Sequence, residues 1–194
     1  MDDGEEERLH HSRERNNFEN LKGQGSFSLL DGASPQIPAI TPELYSQSKI
    51  ASDRTKSLEE RLESFEIILD SEVGDTSLTR ARNIEREIGL RQIFLKFEGG
   101  NPTGTQKDRV AFAQALDALR RGYEEITVAS CGNYGTAIAL AASLAGLRCL
   151  IYIPKDYHAK RMKEITDFGA EIVKVAGDYE EAVRVSRLDA EEKG

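Results

Sequence analysis

The chain has 194 residues, of which 31% are charged, and its formal net charge is −8. This acidic balance argues against nucleic acid or an anionic membrane as the main partner, because either would favour clustered lysine and arginine. The first residues lack the basic and apolar regions of a secretory signal, and no apolar stretch is long enough to span a bilayer. We therefore expect a cytoplasmic protein, and its acidic charge does not exclude a small anionic ligand bound by backbone N–H groups.

Two cysteines, Cys131 and Cys149, lie in apolar stretches, and the three histidines do not cluster with them. This arrangement is typical of small buried residues in a reducing compartment, because it provides neither a disulfide framework nor the ligand spacing of a zinc site. The sequence predicts no metal site.

Residues 1–57 differ from the rest, because they are polar, contain three of the five prolines and show no sustained apolar period. Such a segment buries too little apolar surface to offset its ordering entropy, so we expect most of it to be disordered or loosely attached. An arm that orders on binding a partner is the alternative. A second segment, residues 58–194, starts with a helix for which Ser57 is the N-cap and Glu60 completes a capping box.

Helix and strand signals alternate from residue 80 onward. The pattern predicts, in chain order, a helix over 80–88, a strand over 92–97, a helix over 108–121, a strand over 126–130, a helix over 134–145, a strand over 148–153, a helix over 158–168, a strand over 171–175 and a helix over 179–192. Strands joined by single helices are typical of right-handed βαβ units. The predicted fold class is therefore α/β, a parallel sheet with helices on both faces.

A glycine-containing loop, KFEGGNPTGTQKDR, runs from Lys96 to Arg109. It is not a P-loop, because Thr105 and Gln106 separate the last glycine from Lys107, and an aspartate follows that lysine. The loop places Lys107 in the first turn of a helix, where the positive dipole end opposes a second positive charge. An amine there is a candidate nucleophile towards a carbonyl carbon. On spacing alone, an ordinary surface lysine remains the alternative.

A second motif, SCGNYGT, lies between a buried strand and an apolar helix at residues 130–136. Free backbone N–H groups at the helix start can bind a carboxylate or phosphate, and ligands collect at the carboxyl ends of parallel strands. An ordinary helix cap by Ser130 or Asn133 is the alternative. A simple nucleotide-binding Rossmann domain is disfavoured, since no Gly-x-Gly-x-x-Gly follows a strand.

Together these motifs resemble the fold-type II pyridoxal-phosphate enzymes, and the resemblance runs from about Gly74 to the chain end. The family's block Gly-x-Thr-Pro-Leu appears at 74–78, with Ser77 in place of proline. Its lysine block, Lys-x-Glu and Asn-Pro-Thr-Gly-Ser-x-Lys-Asp-Arg, matches residues 96–109, with Thr105 in place of serine. Its Ser-x-Gly-Asn block matches residues 130–133. Three blocks in the right order are a specific signal.

The resemblance implies a role for each matching residue. Lys107 would form the Schiff base with pyridoxal 5'-phosphate and later move protons, while the cofactor serves as an electron sink. Asn133 would bond the cofactor's 3′ oxygen. The side chains of Phe97 and Tyr134 are expected to pack or to shape the site, and stacking of Tyr134 on the cofactor ring is a weaker alternative. The substrate carboxylate would be held by the backbone of Ser130, Cys131, Gly132, Asn133 and Tyr134.

The form Asn-Pro-Thr-Gly at 101–104 is nearer to threonine synthase than to other members of the family. The leading reaction is therefore conversion of O-phosphohomoserine and water to threonine and phosphate, and the alternatives are a cysteine synthase or a threonine dehydratase. The family's cofactor-phosphate loop lies beyond the stretch that matches. We accordingly expect an N-terminal lobe with the C-terminal lobe largely missing, acting as a homodimer or with that missing half. A non-catalytic binding or regulatory half-protein is the alternative from another class.

Overall fold

A computed structural model describes residues 42–130, 132–157 and 161–193. A 3-10 turn, Glu98–Gly100, precedes the loop that carries Lys107. The helices and strands of the described residues are, in chain order, α1 (Pro42–Ser52), α2 (Leu58–Glu72), β1 (Leu78–Arg80), α3 (Arg82–Ile88), β2 (Phe94–Lys96), α4 (Lys107–Arg120), β3 (Glu125–Ala129), α5 (Asn133–Leu144), β4 (Arg148–Pro154), α6 (Met162–Asp167), β5 (Glu171–Val175) and α7 (Tyr179–Lys193).

The main sheet consists of β3, β4 and β5, which are parallel and lie in that order. Alternate residues of β4 enter two separate cores, as the two-residue period of a strand requires. Ile151 and Ile153 pack with α5 and α6 on one face, whereas Leu150 and Tyr152 pack with Ala182 of α7 on the other. The predicted α/β class, with helices on both faces of a parallel sheet, is confirmed.

The larger core lies on the face that carries α5. Phe65 of α2 and Phe112 of α4 are fully buried and stack with their ring centroids 5.9 Å apart. The small side chains of α5 allow neighbouring helices and strands to approach closely. The buried alanines of this helix are Ala137, Ala139, Ala141 and Ala142.

A second, two-stranded sheet was not predicted. The strand expected at 92–97 pairs antiparallel with β1, so it does not belong to the parallel sheet. The helix expected from residue 80 begins only at Arg82, because Arg80 is in a strand and its guanidinium binds the Glu85 carboxylate. Glu85 also accepts a hydrogen bond from the Ile93 N–H at 2.8 Å, which ties the start of β2 to α3.

Helix α1 packs on the core, and this differs from the expectation that most of residues 1–57 would be disordered or loosely attached. Ala51 is fully buried, and the Arg61 guanidinium donates to the carbonyl oxygens of Ala51 and Ala145 at 3.1 and 2.8 Å. The apolar pattern missed α1 because the helix contributes few apolar residues to the core, among them Leu44 and Ala51. Residues 1–41 lie outside the described residues. The predicted capping box of Ser57 and Glu60 is confirmed.

The remaining helices and strands begin and end close to where the sequence predicted them. Only α6 is distinctly shorter than expected, since it starts at Met162 and residues 158–160 are not described. Among the described helices, none combines the length and the apolar character needed to cross a membrane.

Candidate functional site

The loop that precedes α4 is folded around one buried carboxylate. Asp108 is fully buried, and its two oxygens accept hydrogen bonds from the Thr103 N–H at 3.0 Å, the Thr103 hydroxyl at 2.8 Å and the Thr105 N–H at 3.4 Å. Burial raises the pKa of Asp108, because removal from water disfavours its charged form. These three bonds fix the path of the chain directly before Lys107.

Lys107 is exposed and is the first residue of α4. Its backbone N–H donates to the Thr105 hydroxyl oxygen at 3.2 Å, so the turn that leads into the helix is capped locally. The side chain of the neighbouring Asp108 points inward to Thr103. It therefore does not form the ion pair with Lys107 that would be expected of an ordinary surface lysine. The amine of Lys107 is therefore presented to solvent from a rigid turn.

A polar network joins the first two sequence blocks. The Arg109 guanidinium donates to both Glu98 carboxylate oxygens at 2.8 and 3.0 Å, and to the Gly74 carbonyl oxygen at 2.9 Å. Asn101 accepts from the Gly74 N–H at 3.0 Å and donates to Glu98, and the Thr76 hydroxyl also donates to Glu98. A Cβ on Gly74 would lie 2.7 Å from Arg109 Nη1. These motif residues therefore hold the scaffold that supports Lys107.

We predict that Glu98 makes the stability of the chain depend on pH in the acid range. The bond from the Arg109 guanidinium is the main cause that lowers the Glu98 pKa from 4.5 to about 2. A lowered folded-state pKa stabilises the fold fully above about 4.5, and this contribution is lost as the pH falls towards about 2. Urea unfolding should show Glu98→Gln less stable than wild type near neutral pH, with the difference shrinking through that window. A difference that is independent of pH would contradict the role of the ionised carboxylate.

The strand β3 leads into α5 through a tight loop. The Ser130 hydroxyl oxygen accepts the Gly135 N–H at 3.1 Å, and the Gly132 carbonyl oxygen accepts the Thr136 N–H at 3.2 Å. The first N–H groups of a helix have no intrahelical partner. In the first turn of α5, among the residues that the structure describes, the N–H groups of Asn133 and Tyr134 are thus available to donate to a bound acceptor. Gly132 is the N-cap residue of α5, and the Ser130 side chain binds one N–H group in the first turn of that helix.

Arg161, which precedes α6, brings the two motif loops together. Its guanidinium donates to the Asn133 side-chain oxygen at 3.1 Å and to the Thr103 carbonyl oxygen at 3.0 Å. It also forms an ion pair with Glu164. The sequence analysis missed this residue, because its partners lie 28 and 58 positions away and no spacing rule connects them. The structure therefore places the loop of Lys107 beside the loop of Asn133.

The two aromatic residues of the motifs have different surroundings. Tyr134 is partly buried, and its hydroxyl donates to Gln114 of α4. It lines a cavity of about 430 Å³ along the outer edge of β3, which includes Ile126 and Val128. Phe97 is half-exposed and lies over Gly99, where a Cβ would be 2.5 Å from its ring. Tyr134 thus packs against α4, which agrees with its expected packing role.

Of the described residues, Cys149 gives the site no reactive thiolate. Cys149 is buried on β4, and burial raises the pKa of its thiol to about 12. Cys131, whose backbone was expected to contribute to a substrate carboxylate site, lies outside the described residues. Among the described residues, no group of three or more His, Cys, Asp or Glu side chains could hold a metal ion.

The donor set at this site suits an aldehyde-bearing, anionic cofactor. Lys107 supplies a primary amine, Asn133 an amide, and the start of α5 backbone N–H groups. A family model of pyridoxal-phosphate dependent enzymes matches residues 69–194. The chain belongs to this family. Pyridoxal 5'-phosphate, the cofactor that the family uses, is therefore the group that these residues fit.

Curated relatives in this pyridoxal-phosphate dependent family include enzymes of more than one activity. The chain is 31% identical over 121 residues to threonine synthase of Methanocaldococcus jannaschii, covering 62% of this chain and 30% of that protein. It is 36% identical over 122 residues to threonine synthase of Bacillus sp. strain ULM1, covering 62% and 34%. It is 34% identical over 129 residues to cysteine synthase B of Pseudomonas syringae pv. syringae, covering 63% and 76%. The chain spans about a third of the length of the threonine synthases that it matches.

Solved structures of the family share the fold. A pyridoxal 5'-phosphate-dependent aspartate racemase superposes with a TM-score of 0.58 at 25% identity, covering 69% of this chain and 42% of that one. Cysteine synthase from Entamoeba histolytica superposes with a TM-score of 0.57 at 26% identity, covering 65% and 40%. The described fold is therefore that of one part of these larger enzymes.

Proposed function

We propose that this chain is the lysine-bearing lobe of a pyridoxal-phosphate dependent enzyme that acts on an amino acid, with Lys107 as the residue that bonds the cofactor. The observation that carries the proposal is the pair of adjacent loops, in which Arg161 joins Thr103, before Lys107, to Asn133. When bound, pyridoxal phosphate supplies an electron sink for the bond that the enzyme breaks.

Different residues of the chain would bind different parts of the cofactor and the substrate. The Lys107 amine would attach the cofactor and afterwards accept and return protons beside the reacting carbon. The Asn133 amide would donate to the cofactor's 3′ oxygen. The backbone from Ser130 through Cys131 and Gly132 to Tyr134, at the start of α5, would hold the substrate carboxylate, because helix-start N–H groups favour anions.

For the reaction, we propose the threonine synthase type, in which O-phosphohomoserine and water give threonine and phosphate. Identities of 31% and 36% to two threonine synthases support it, together with the Asn-Pro-Thr-Gly run at 101–104. A cysteine synthase type is the second candidate, favoured by the similarity to cysteine synthase B. A threonine dehydratase type is the third.

Association with further protein is part of the proposal. Exposed apolar side chains on the small sheet support it, since Leu78 and Phe94, which share one face of that sheet, are 63% and 54% exposed. Large apolar groups clustered on a surface mark a contact with another protein surface. We propose that this surface packs either on a C-terminal lobe of the enzyme or on a second copy in a homodimer.

The reaction is tested by supplying purified chain, pyridoxal phosphate and candidate substrates. The proposed type predicts Lys107-dependent phosphate release from O-phosphohomoserine, measured in the presence of a C-terminal lobe taken from a related threonine synthase. Sulfide-dependent turnover of an acylated serine in its place would overturn the threonine synthase assignment in favour of cysteine synthase. Absence of any turnover, with cofactor bound, would favour a non-catalytic binding or regulatory role.

A further inference from the structure

Arg161 lies outside the three sequence blocks at 74–78, 96–109 and 130–133. Its side chain is 20% exposed, and its guanidinium has three partners. Nη1 donates to Asn133 Oδ1 at 3.1 Å, Nη2 to the Thr103 carbonyl oxygen at 3.0 Å, and Nε to Glu164 Oε2 at 2.9 Å. The planar fork of an arginine spreads its donors over three nitrogens and meets these acceptors at once, whereas a lysine offers all its N–H groups from one nitrogen.

This contact settles which way the Asn133 amide points. A guanidinium has donors and no acceptor, so the Asn133 atom that faces Arg161 has to be the carbonyl oxygen. Because the amide group is planar, its NH2 then points away from Arg161. Asn133 thereby offers N–H donors to whatever occupies the site, and the group opposite it must be an acceptor.

The same guanidinium also sets the spacing between the two loops. Thr103 is held on one side by the buried Asp108 carboxylate and on the other by Arg161 through its carbonyl oxygen. Asn133 is the first residue of α5. Glu164 anchors the guanidinium by accepting from Nε and Nη2. Movement of the Lys107 loop relative to α5 therefore requires these charge-assisted bonds to break.

We propose that Arg161 is a positioning residue, which orients the Asn133 amide as a donor towards the cofactor and holds the Lys107 loop at a fixed spacing from α5. This inference rests on the proposed function for the identity of the acceptor, the cofactor's 3′ oxygen. The link between the two loops stands on the geometry of the chain itself.

The first experiment measures that link without cofactor. Hydrogen–deuterium exchange should accelerate by about tenfold in Arg161→Lys at both 103–108 and 133–136, since a hydrogen bond to a charged group is lost. The matched control is Arg184→Lys on α7, because Arg184 forms an ion pair with Glu181 three residues away at 2.6 Å and is 60% exposed. Faster exchange confined to residues 161–168 of Arg161→Lys would overturn the link.

The second experiment measures the orientation of Asn133 through pyridoxal phosphate binding. Arg161→Lys should raise the dissociation constant of pyridoxal phosphate by about tenfold relative to wild type. The same substitution should have little effect when it is made in a protein that already carries Asn133→Ala. A purely structural role of Arg161 would weaken binding equally in both backgrounds, and this result would overturn the proposal.

Failure of the proposed function gives a different result. Wild type would then take up no pyridoxal phosphate through Lys107, and the role of Arg161 towards the cofactor would be overturned with it. The exchange experiment needs no cofactor, so it would still decide whether Arg161 joins the two loops.

Discussion

Asp108→Ala is expected to lower the free energy of unfolding by about 3 kcal/mol, because it leaves several buried donors without an acceptor. The donors are the backbone N–H groups of Thr103 and Thr105 and the Thr103 hydroxyl. Without these hydrogen bonds the turn before Lys107 loses its shape, so cofactor binding at Lys107 should fall together with stability. Urea unfolding and cofactor titration of the same preparation measure the two effects.

Asp108→Asn is the matched control for this change. Its amide oxygen can still accept from the Thr103 N–H, and its NH2 can donate to the Thr103 hydroxyl oxygen. Burial raises the pKa of Asp108, so the native charged form is itself disfavoured by folding, and the neutral amide avoids that cost. A loss in Asp108→Asn as large as that in Asp108→Ala would contradict the account, since it would make the charge rather than the acceptors essential.

Gly135→Ala is expected to destabilise the chain by about 2 kcal/mol and to disrupt the Ser130 loop. A Cβ at this position would lie 2.7 Å from the Ser130 carbonyl oxygen and 3.3 Å from Ile165 Cδ1. The strand end and α5 would have to separate, and the Ser130 cap on the Gly135 N–H would be lost. Thermal unfolding followed by circular dichroism measures the change.

The control for this substitution lies in the same loop. Gly132→Ala adds the same methyl group where nothing lies within 4 Å, and its φ of −123° lies outside the left-handed region that favours glycine. Its stability should remain within about 0.5 kcal/mol of wild type. Equal losses in the two variants would show that the loop, and not the close approach at Gly135, determines the effect.

Much of the fold could be predicted because its signals are local. Each strand of the parallel sheet is a short apolar run, and each helix has apolar residues at helical spacing, so β3 to α7 were located within a few residues. The small sheet was missed because β1 has only three residues, all of them exposed, and nothing in the strand predicted at 92–97 indicated an antiparallel partner. Likewise α1 has little apolar pattern, and the bond from the Arg61 guanidinium to the Ala51 carbonyl oxygen is invisible in sequence.

The candidate site also contains residues that the sequence predicts and residues that only the folded structure reveals. Lys107 and Asn133 could be named as candidates because the residues around them form ordered blocks, and the chain's membership of the pyridoxal-phosphate dependent family agrees with those blocks. Arg161 is one of 26 lysines and arginines, and only folding brings it to Thr103 and Asn133. Similarly, the sequence named Arg109 as part of a block, but its role as the partner of Glu98 depends on distances that only the structure supplies.

The most direct test of the central claim is to trap the cofactor on its lysine. The purified chain is incubated with pyridoxal phosphate and reduced with borohydride, and the modified peptides are mapped by mass spectrometry. Lys107→Ala is compared with Lys56→Ala, an exposed lysine that forms an ion pair with Glu60 at the start of α2. The account predicts that capture by the isolated chain is weak, that the label lies on the Lys107 peptide in wild type and Lys56→Ala, and that this label is lost in Lys107→Ala. Labelling spread equally over surface lysines, and unchanged in Lys107→Ala, would contradict it.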